Sequence, residues 1–348
     1  MVKEAVFAVP GELATPTGGY AYDRRIIEGL AALGWRIAVV DLGDGFPFPT
    51  THARAAARAR LEALPVGPPI VIDGLAFGAL PDAAEALRAT HSLVALVHHP
   101  LALETGLSAT ASALLRASER TALGCARHVI ATSTATARLL AADYNVPTDR
   151  LSVVAPGTER VASRPRTPGS VIALLSVGAV VPRKGYDVLV AALAKLKHLP
   201  WRLVIAGDCE RNPETSRRLM ADIASLGLAD RITLAGTVAA TQLASLYAST
   251  DVFVLPSRFE GYGMAYAEAI AHGVPVIGTN AGAIPETVPG DAGVLVPPDD
   301  IETLAATLQR LIENPGERAR LAAGARATAF PSWSGQAALF ARSLASLR

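Results

Sequence analysis

The sequence predicts an α/β protein of two doubly wound domains, each with a parallel sheet between layers of helices. Short runs rich in β-branched residues alternate along the chain with longer alanine- and leucine-rich stretches of helical period, as in βαβ units. The alternation is interrupted at residues 159–170, where Pro, Arg, Ser and Thr predict a linker. A length of 348 residues also suits two domains of ordinary size.

The first predicted domain spans residues 1–162. Short apolar runs predict strands at residues 5–9, 36–41, 70–73, 93–98, 128–132 and 151–154. Helical spacing of apolar residues predicts helices at 22–33, 53–64, 83–89, 107–123 and 135–144. In such a domain, ligands bind outside the carboxyl ends of the parallel strands.

The second predicted domain spans residues 170–330 and repeats the alternation. The same criteria predict strands at 173–178, 202–206, 232–235, 252–255, 276–278 and 293–296. They predict helices at 186–197, 213–226, 241–248, 264–271 and 301–314. Asp299 and Asp300 precede the last of these helices, and both are predicted to cap it.

Composition and charge exclude several classes of function. Hydrophobic residues make up 51% of the chain and charged residues 18%, which indicates buried cores and little disorder. The formal net charge of +1 argues against nucleic acid as a partner. The longest apolar stretch, residues 171–181, is too short for stable membrane insertion, and residues 1–10 lack the features of a signal peptide. Arginines on the predicted helix 53–64 fit a solvated face better than contact with a membrane surface. We therefore expect a cytoplasmic protein.

Cysteine and histidine usage predicts no metal site, and we expect no cofactor. Cys125 and Cys209 lie far apart in unrelated contexts, which favours free packed thiols over a lone disulfide. No Cys or His pair shows the spacing of metal ligands.

The segment from Pro256 to Glu268, PSRFEGYGMAYAE, is the most informative part of the chain. Glycines follow a predicted strand there, and a helix is predicted to begin near Met264, so the backbone can approach an anion at a helix N-terminus. Glu260 and Glu268 lie at most roughly 12 Å apart if the intervening residues are helical. Carboxylates accept hydroxyl donors. A nucleoside diphosphate sugar folded over the helix end would offer sugar hydroxyls to one carboxylate and ribose hydroxyls to the other.

This segment resembles the E-x7-E motif of the GT4 family of retaining glycosyltransferases, and residues 269–277, 281–286 and 291–300 continue the resemblance. The resemblance implies the GT-B fold, in which two Rossmann-like domains face a central cleft, and a final segment, residues 331–348, that returns to the first domain. It implies that Glu260 holds hydroxyls of the transferred sugar and that Glu268 holds the ribose. The turn between them would contact sugar and phosphate through Gly261, Tyr262, Gly263 and Met264.

Residues 176–185, SVGAVVPRKG, lie between a predicted strand and a helix and resemble the phosphate-binding loop of the same family. A diphosphate leaving group gains negative charge during glycosyl transfer, so fixed cations such as Arg183 and Lys184 would stabilise it. The sequence departs from the family pattern at Ala179, where an arginine is usual. Arg183 either replaces that charge or is a solvated surface residue.

The first domain contributes a glycine pair and two histidines. Gly18 and Gly19 are predicted to lie in a loop after the first strand, where they either meet donor phosphates or merely provide flexibility. His98 and His99 come at the carboxyl end of a predicted strand. By the resemblance, His98 would contact the transferred sugar or the acceptor. Glu104 either faces the acceptor or is a solvated loop carboxylate.

The sequence thus predicts a retaining, metal-independent hexosyltransferase whose substrates are a nucleoside diphosphate sugar and an unidentified sugar, lipid-linked or small-molecule acceptor. His98, Glu260, Lys184 and Arg183 are the candidate catalytic residues. The alternatives are a sugar phosphorylase of the same fold and a non-catalytic protein that binds nucleotide sugars. A dehydrogenase would require G-x-G-x-x-G directly after a strand, which the sequence lacks.

Overall fold

The computed structural model describes residues 3–104, 106–161 and 169–347. The chain divides into two compact units, one comprising Met1–Gly157 with Pro331–Arg348 and the other Thr158–Phe330. Most of the predicted linker, residues 162–168, lies outside the described residues.

The first unit contains a parallel sheet, as predicted. Its strands are β1 (Glu4–Val9), β2 (Arg36–Asp41), β3 (Ile70–Asp73), β4 (Leu93–Val97), β5 (His128–Ala131) and β6 (Leu151–Val153). They pair in the order β2-β1-β3-β4-β5-β6. The central strands β3 and β4 are buried along their whole length, whereas the edge strand β2 is largely exposed. This is the burial pattern of a sheet that is covered by helices on both faces.

The helices of the first unit include the five predicted ones, the first with an earlier start, together with a short helix at Gly74–Phe77 that the sequence did not predict. They are α1 (Gly18–Ala32), α2 (Thr51–Glu62), α3 (Gly74–Phe77), α4 (Pro81–Leu87), α5 (Ala109–Cys125) and α6 (Thr134–Asp143). The predicted start of α1 at residue 22 is wrong, because Thr17 caps the helix and its side chain accepts a hydrogen bond from the Tyr20 N–H. Gly18 and Gly19 therefore open a helix and do not form a loop.

The second unit repeats this architecture. Its strands are β7 (Ile172–Val177), β8 (Trp201–Ala206), β9 (Ile232–Gly236), β10 (Val252–Val254), β11 (Val276–Thr279) and β12 (Gly293–Val296). They form a parallel sheet in the order β12-β11-β10-β7-β8-β9. The chain thus starts in the middle of the sheet, builds one side and then crosses to the other. Such a reversal of strand order is where open α/β sheets place their ligands.

The helices of the second unit are α7 (Tyr186–Ala194), α8 (Pro213–Ser225), α9 (Ala240–Ala248), α10 (Met264–Ala271), α11 (Ile284–Thr287), α12 (Ile301–Glu313) and α13 (Pro315–Ala327). Asp300 caps α12 as predicted, because its carboxylate accepts the Thr303 N–H at 2.9 Å. The same prediction is wrong for Asp299, which has a φ of +61° and pairs instead with Arg258 at 2.7 Å.

The last helix, α14 (Trp333–Ala345), belongs to the first unit and packs on α1. Gly29 of α1 lies so close to Ala337 of α14 that a Cβ at residue 29 would overlap the alanine side chain. Phe340 of α14 stacks on Phe7 of β1, with 5.7 Å between the ring centroids. The C-terminal helix is therefore part of the core of this unit.

Two other expectations concern the cysteines and membrane insertion. Cys125 and Cys209 are free thiols, as predicted. Within the described ranges, none of the helices combines the length and the apolar character that a bilayer crossing requires.

We predict that Gly29→Ala destabilises the protein, because the new methyl group forces α1 and α14 apart. Overpacking of this kind costs about 1–3 kcal/mol of the free energy of unfolding. The matched control is Gly124→Ala in α5, where a Cβ would meet nothing within 4 Å. Chemical denaturation should show a loss for the first variant and none for the second. Equal stability of the two variants would contradict the close packing of α14 on α1.

Candidate functional site

The predicted phosphate loop lies between β7 and α7 and is shaped by Gly185. Residues Pro182–Lys184 form a short 3₁₀ turn, and Gly185 follows with a φ of +68°, in the left-handed region. A Cβ on Gly185 would overlap the carbonyl oxygen of Pro256, so glycine permits both the turn and its close packing. The turn thereby brings Arg183 and Lys184 against the loop that follows β10.

Glu260, in that second loop, binds both cations. Its Oε1 accepts a hydrogen bond from Lys184 Nζ at 2.7 Å, and its Oε2 accepts one from Arg183 Nη1 at 3.0 Å. The Ser257 hydroxyl also donates to Oε1 at 2.7 Å. Arg183 Nη1 donates in addition to the carbonyl oxygen of Phe259 at 2.9 Å. With its side chain 16% exposed, Arg183 is part of this cluster and is not a solvated surface residue.

The cluster keeps Glu260 ionised although the residue is only 7% exposed. Burial alone would raise the pKa of the carboxyl group. The positive charges of Lys184 and Arg183 outweigh burial and lower the pKa of Glu260 to about 2. One carboxylate against two cations leaves the cluster with an excess of positive charge, which favours the approach of an anion.

Helix α10 begins four residues after Glu260. Gly263 is its N-cap, with a φ of +94°, and a Cβ there would overlap the ring of Tyr266. The Tyr262 carbonyl oxygen accepts a hydrogen bond from the Thr287 hydroxyl at 2.6 Å, which secures the turn before the helix. The turn with Gly261, Tyr262 and Gly263 therefore leads directly into the first helical residue, Met264, at the end of the helix whose dipole favours an anion.

Glu268, the second carboxylate of the motif, lies further along α10 and has a different partner. Its Oε2 accepts a hydrogen bond from the Tyr247 hydroxyl at 3.0 Å. Burial raises the pKa of Glu268, and the hydrogen bond from Tyr247 opposes this rise. The Tyr247 ring stacks on His272, with 4.8 Å between centroids. The two glutamates are thus supported separately, one by cations and the other by an aromatic hydroxyl.

The segment after β11 supports the backbone of Glu260. The Ala283 N–H donates to the Glu260 carbonyl oxygen at 2.9 Å. Gly282 has a φ of +55°, and a Cβ there would overlap that same oxygen. Residues 281–286, which carry part of the family resemblance, therefore act on the site by positioning the loop. The contact of Ser257 with Glu260 was not predicted, because the sequence does not show which loop atoms meet.

In the first unit, His98 follows β4, and Gly19 opens α1 beside it. A Cβ on Gly19 would lie 3.3 Å from His98 Cδ2, so this glycine leaves space for the imidazole. A Cβ on Gly18 would meet nothing within 4 Å. The structure thus relates Gly19 to His98, and binding of donor phosphates by the glycine pair stays a prediction.

Sequence reasoning missed two carboxylates that contact His98. Its Nε2 lies 3.2 Å from Asp23 Oδ1 and 3.5 Å from Asp73 Oδ2. Asp73 is the last residue of β3, so its position at the carboxyl edge of the sheet was a usable signal. Asp23 lies on the buried face of α1 with Ile26 and Leu30, and an acidic residue within an apolar helical stripe was a second signal.

The neighbouring His99 makes a separate contact. Its Nε2 lies 3.3 Å from Glu104 Oε2, and the Glu104 side chain is 40% exposed. Glu104 is therefore a partly solvated loop carboxylate that pairs with a histidine. Contact of Glu104 with an acceptor stays a prediction.

Comparison with known proteins identifies relatives of both units. The family models "Glycosyltransferase Family 4" and "Glycosyl transferases group 1" match residues 40–160 and 160–328. The MMP alpha-(1->4)-mannosyltransferase of Mycolicibacterium hassiacum is 30% identical over 309 residues, which cover 84% of this chain and 73% of that protein. The D-inositol 3-phosphate glycosyltransferase of Xylanimonas cellulosilytica is 36% identical over 203 residues, which cover 53% of this chain and about half (48%) of that protein.

Solved structures show the same fold. Sucrose-phosphate synthase from Thermosynechococcus elongatus has a TM-score of 0.82 at 23% identity, with 99% of both chains covered. Anabaena Alr3699/HepE in complex with UDP-glucose has a TM-score of 0.75 at 19% identity, again with 99% of both chains covered. The predicted GT-B fold is therefore confirmed. The mannosyltransferase and the two family models show that the chain belongs to the GT4 family of glycosyltransferases.

Proposed function

We propose that this glycosyltransferase moves a hexose from a nucleoside diphosphate sugar to an acceptor hydroxyl, with retention of configuration and without a metal ion. The observation that carries the proposal is the ionised Glu260, which Arg183 and Lys184 hold beside the start of α10. The donor class is also supported by Anabaena HepE, which was solved with UDP-glucose.

The excess positive charge of the cluster suits the diphosphate of the donor. A diphosphate that approaches Arg183 and Lys184 also meets the N-terminus of α10, where the helix dipole favours anions. Negative charge grows on the diphosphate as the bond to the sugar breaks. Fixed cations and backbone N–H groups stabilise this charge without reorganisation. In other transferases a bound metal ion stabilises the same charge.

The two glutamates suit the two ends of the donor. Glu260 stays ionised across the physiological pH range, so its carboxylate accepts hydrogen bonds from hydroxyls of the transferred sugar. Glu268, which already accepts a hydrogen bond from the Tyr247 hydroxyl, also accepts hydrogen bonds from the ribose. The nucleotide would thus lie along α10, with its diphosphate at the helix N-terminus.

Retention is best explained by attack on the face from which the diphosphate leaves. The acceptor oxygen forms its bond to the anomeric carbon as the bond from that carbon to the diphosphate oxygen breaks, and the acceptor proton passes to the departing phosphate oxygen. Glu260 is a poor covalent nucleophile, because a carboxylate with a pKa of about 2 is weakly basic and already accepts bonds from Lys184 and Ser257. No covalent intermediate is required.

We predict that Lys184→Met weakens the binding of UDP, GDP or ADP, whichever binds the wild-type chain, by about 2 kcal/mol, or more than tenfold. The reason is the loss of one charge-assisted contact with the diphosphate. Lys195→Met is the matched control, because Lys195 pairs with the exposed Glu302. Calorimetric titration in EDTA measures both affinities. Unchanged binding by Lys184→Met would refute the phosphate assignment.

We predict that the two glutamates respond differently to substitution. Glu268→Ala removes the ribose contact, so affinity should fall for the free nucleoside diphosphate and for the nucleotide sugar alike, by about 1–3 kcal/mol. Glu260→Gln releases Arg183 and Lys184 from their carboxylate, so affinity for the free diphosphate should hold or rise while sugar transfer is lost.

Glu302→Ala, at an exposed residue, serves as the control. Calorimetry with the nucleoside diphosphate and with the nucleotide sugar distinguishes the effect of Glu268→Ala from that of Glu260→Gln. If Glu268→Ala binds the nucleoside diphosphate as the wild type does, the ribose assignment is wrong.

The overall proposal predicts that the product keeps the anomeric configuration of the donor and that excess EDTA leaves the rate unchanged. A panel of UDP-, GDP- and ADP-sugars is incubated with monosaccharide and polyol acceptors, and proton NMR reports the configuration of the new bond. An inverted product would exclude the same-face reaction, and loss of the rate in EDTA would exclude metal independence.

A further inference from the structure

Three ionisable side chains, two buried carboxylates and a partly exposed histidine, lie at the carboxyl edge of the sheet in the first unit. Asp23 comes from α1, Asp73 ends β3 and His98 follows β4. Both carboxylates approach the same ring nitrogen, His98 Nε2, at 3.2 Å and 3.5 Å. Three separate elements thus meet at one atom of one imidazole.

Burial makes these contacts obligatory. Asp23 is 0% exposed and Asp73 is 4% exposed. Both carboxylate oxygens of Asp23 and Nε2 of His98 are enclosed, and none of the three atoms has a hydrogen-bond partner among the residues that the structure describes. The ion-pair contact between Asp23 and His98 is therefore what compensates their burial. An isolated buried carboxylate is costly, so a nearby positive charge is needed to compensate it. A protonated imidazole supplies that charge.

The surroundings fix the orientation of the ring. Gly19 lies against Cδ2 and Nε2 of His98, since a Cβ there would be 3.3–3.4 Å from these atoms. Tyr22 packs edge-on against the imidazole, with 5.3 Å between centroids. The Thr132 hydroxyl donates to the His98 carbonyl oxygen at 3.1 Å. Because Nε2 faces the carboxylates, Nδ1 is the ring nitrogen with which His98 can meet a ligand.

We propose that Asp23 and Asp73 are positioning residues that hold His98 as an imidazolium, so that its Nδ1–H donates a hydrogen bond to a substrate oxygen. His98 then does not act as a general base in the transfer. The part of this inference that concerns substrate rests on the proposed function. The protonation state itself is a property of the unliganded chain.

The electrostatics of the site agree with this assignment. Burial lowers the pKa of His98, but the nearby negative charges of Asp23 and Asp73 outweigh burial and raise it to about 10. Burial raises the pKa of Asp23 to about 6, against the opposing charge of His98. The other titratable groups nearby are Tyr22, whose pKa burial raises so that it stays neutral, and His99, which pairs with Glu104.

The raised pKa of His98 defines the pH range over which the imidazole is charged. A histidine whose pKa is raised in the folded state keeps its charge through neutral pH and loses it only when the pH rises through the raised value. The pair of His98 with Asp23 therefore persists between the raised pKa of Asp23, about 6, and the raised pKa of His98, about 10.

The test is nitrogen NMR of the full-length chain with labelled histidine at pH 7.5, without nucleotide sugar. Comparison with His98→Gln assigns the signals. We expect both ring nitrogens of His98 to carry protons in the wild type. The double variant with Asp23→Asn and Asp73→Asn should lower the pKa of His98 by about 2 units or more, and each single change should lower it less. Asp143→Asn, an exposed carboxylate that pairs with Arg116 in the same unit, should leave it unchanged.

A neutral His98 ring in the wild type at pH 7.5 overturns the inference, and this measurement does not depend on whether the carboxylate variants fold. Asp23, Asp73 and His98 each offer one atom that could coordinate a metal, and these atoms lie within 4.8 Å of one another. A bound divalent ion is therefore the competing explanation for this group of side chains. A stoichiometric metal whose removal by EDTA changes the His98 signals would also overturn the inference.

A kinetic readout separates this inference from the proposed function. In the double carboxylate variant, the transfer rate should fall as the pH rises through the lowered pKa of His98, whereas the wild-type rate should show no such step below pH 8. If the rate of the variant instead rises over that range, His98 works as a base and the inference fails. Failure to bind any nucleotide sugar would refute the proposed function while leaving the NMR result intact.

Discussion

The ion cluster around Glu260 is the constraint on which the candidate site depends. The carboxylate of Glu260, in the loop after β10, is buried, and the adjacent cations Arg183 and Lys184 keep it charged together with the Ser257 hydroxyl. The cations come from a loop in a different βα unit, so the cluster requires a tight left-handed turn at Gly185 and close contact between the two loops. The chemistry and the packing of the second unit are therefore inseparable at this point.

The same principle organises the first unit with the charges reversed. There the cation is His98 and the carboxylates Asp23 and Asp73 surround it. In both units, charged side chains gather at the carboxyl ends of parallel strands, where helix N-termini and loop backbones supply polar groups. A nucleotide sugar and its acceptor oxygen are polar throughout, so a preorganised set of paired charges suits them better than an apolar cavity.

The sequence predicted what depends on neighbours along the chain. The strands, most helix starts and the order of Glu260, Gly263 and Glu268 follow from local pattern, and the structure contains them. Contacts between distant segments were not predictable in the same way. The pairing of Arg183 with Glu260 and the approach of Asp23 to His98 depend on which loops the sheet order brings together. Asp299 is an example. Its position before α12 predicted a helix cap, but its carboxylate pairs with Arg258, which is distant in the sequence.

A crystal structure with an intact nucleotide sugar and no divalent ion would show how the donor is held. We predict that the diphosphate contacts Arg183, Lys184 and the N-terminus of α10, with sugar hydroxyls on Glu260 and ribose hydroxyls on Glu268. A donor bound away from these side chains, or a diphosphate that binds only through an ordered metal ion, would contradict this prediction.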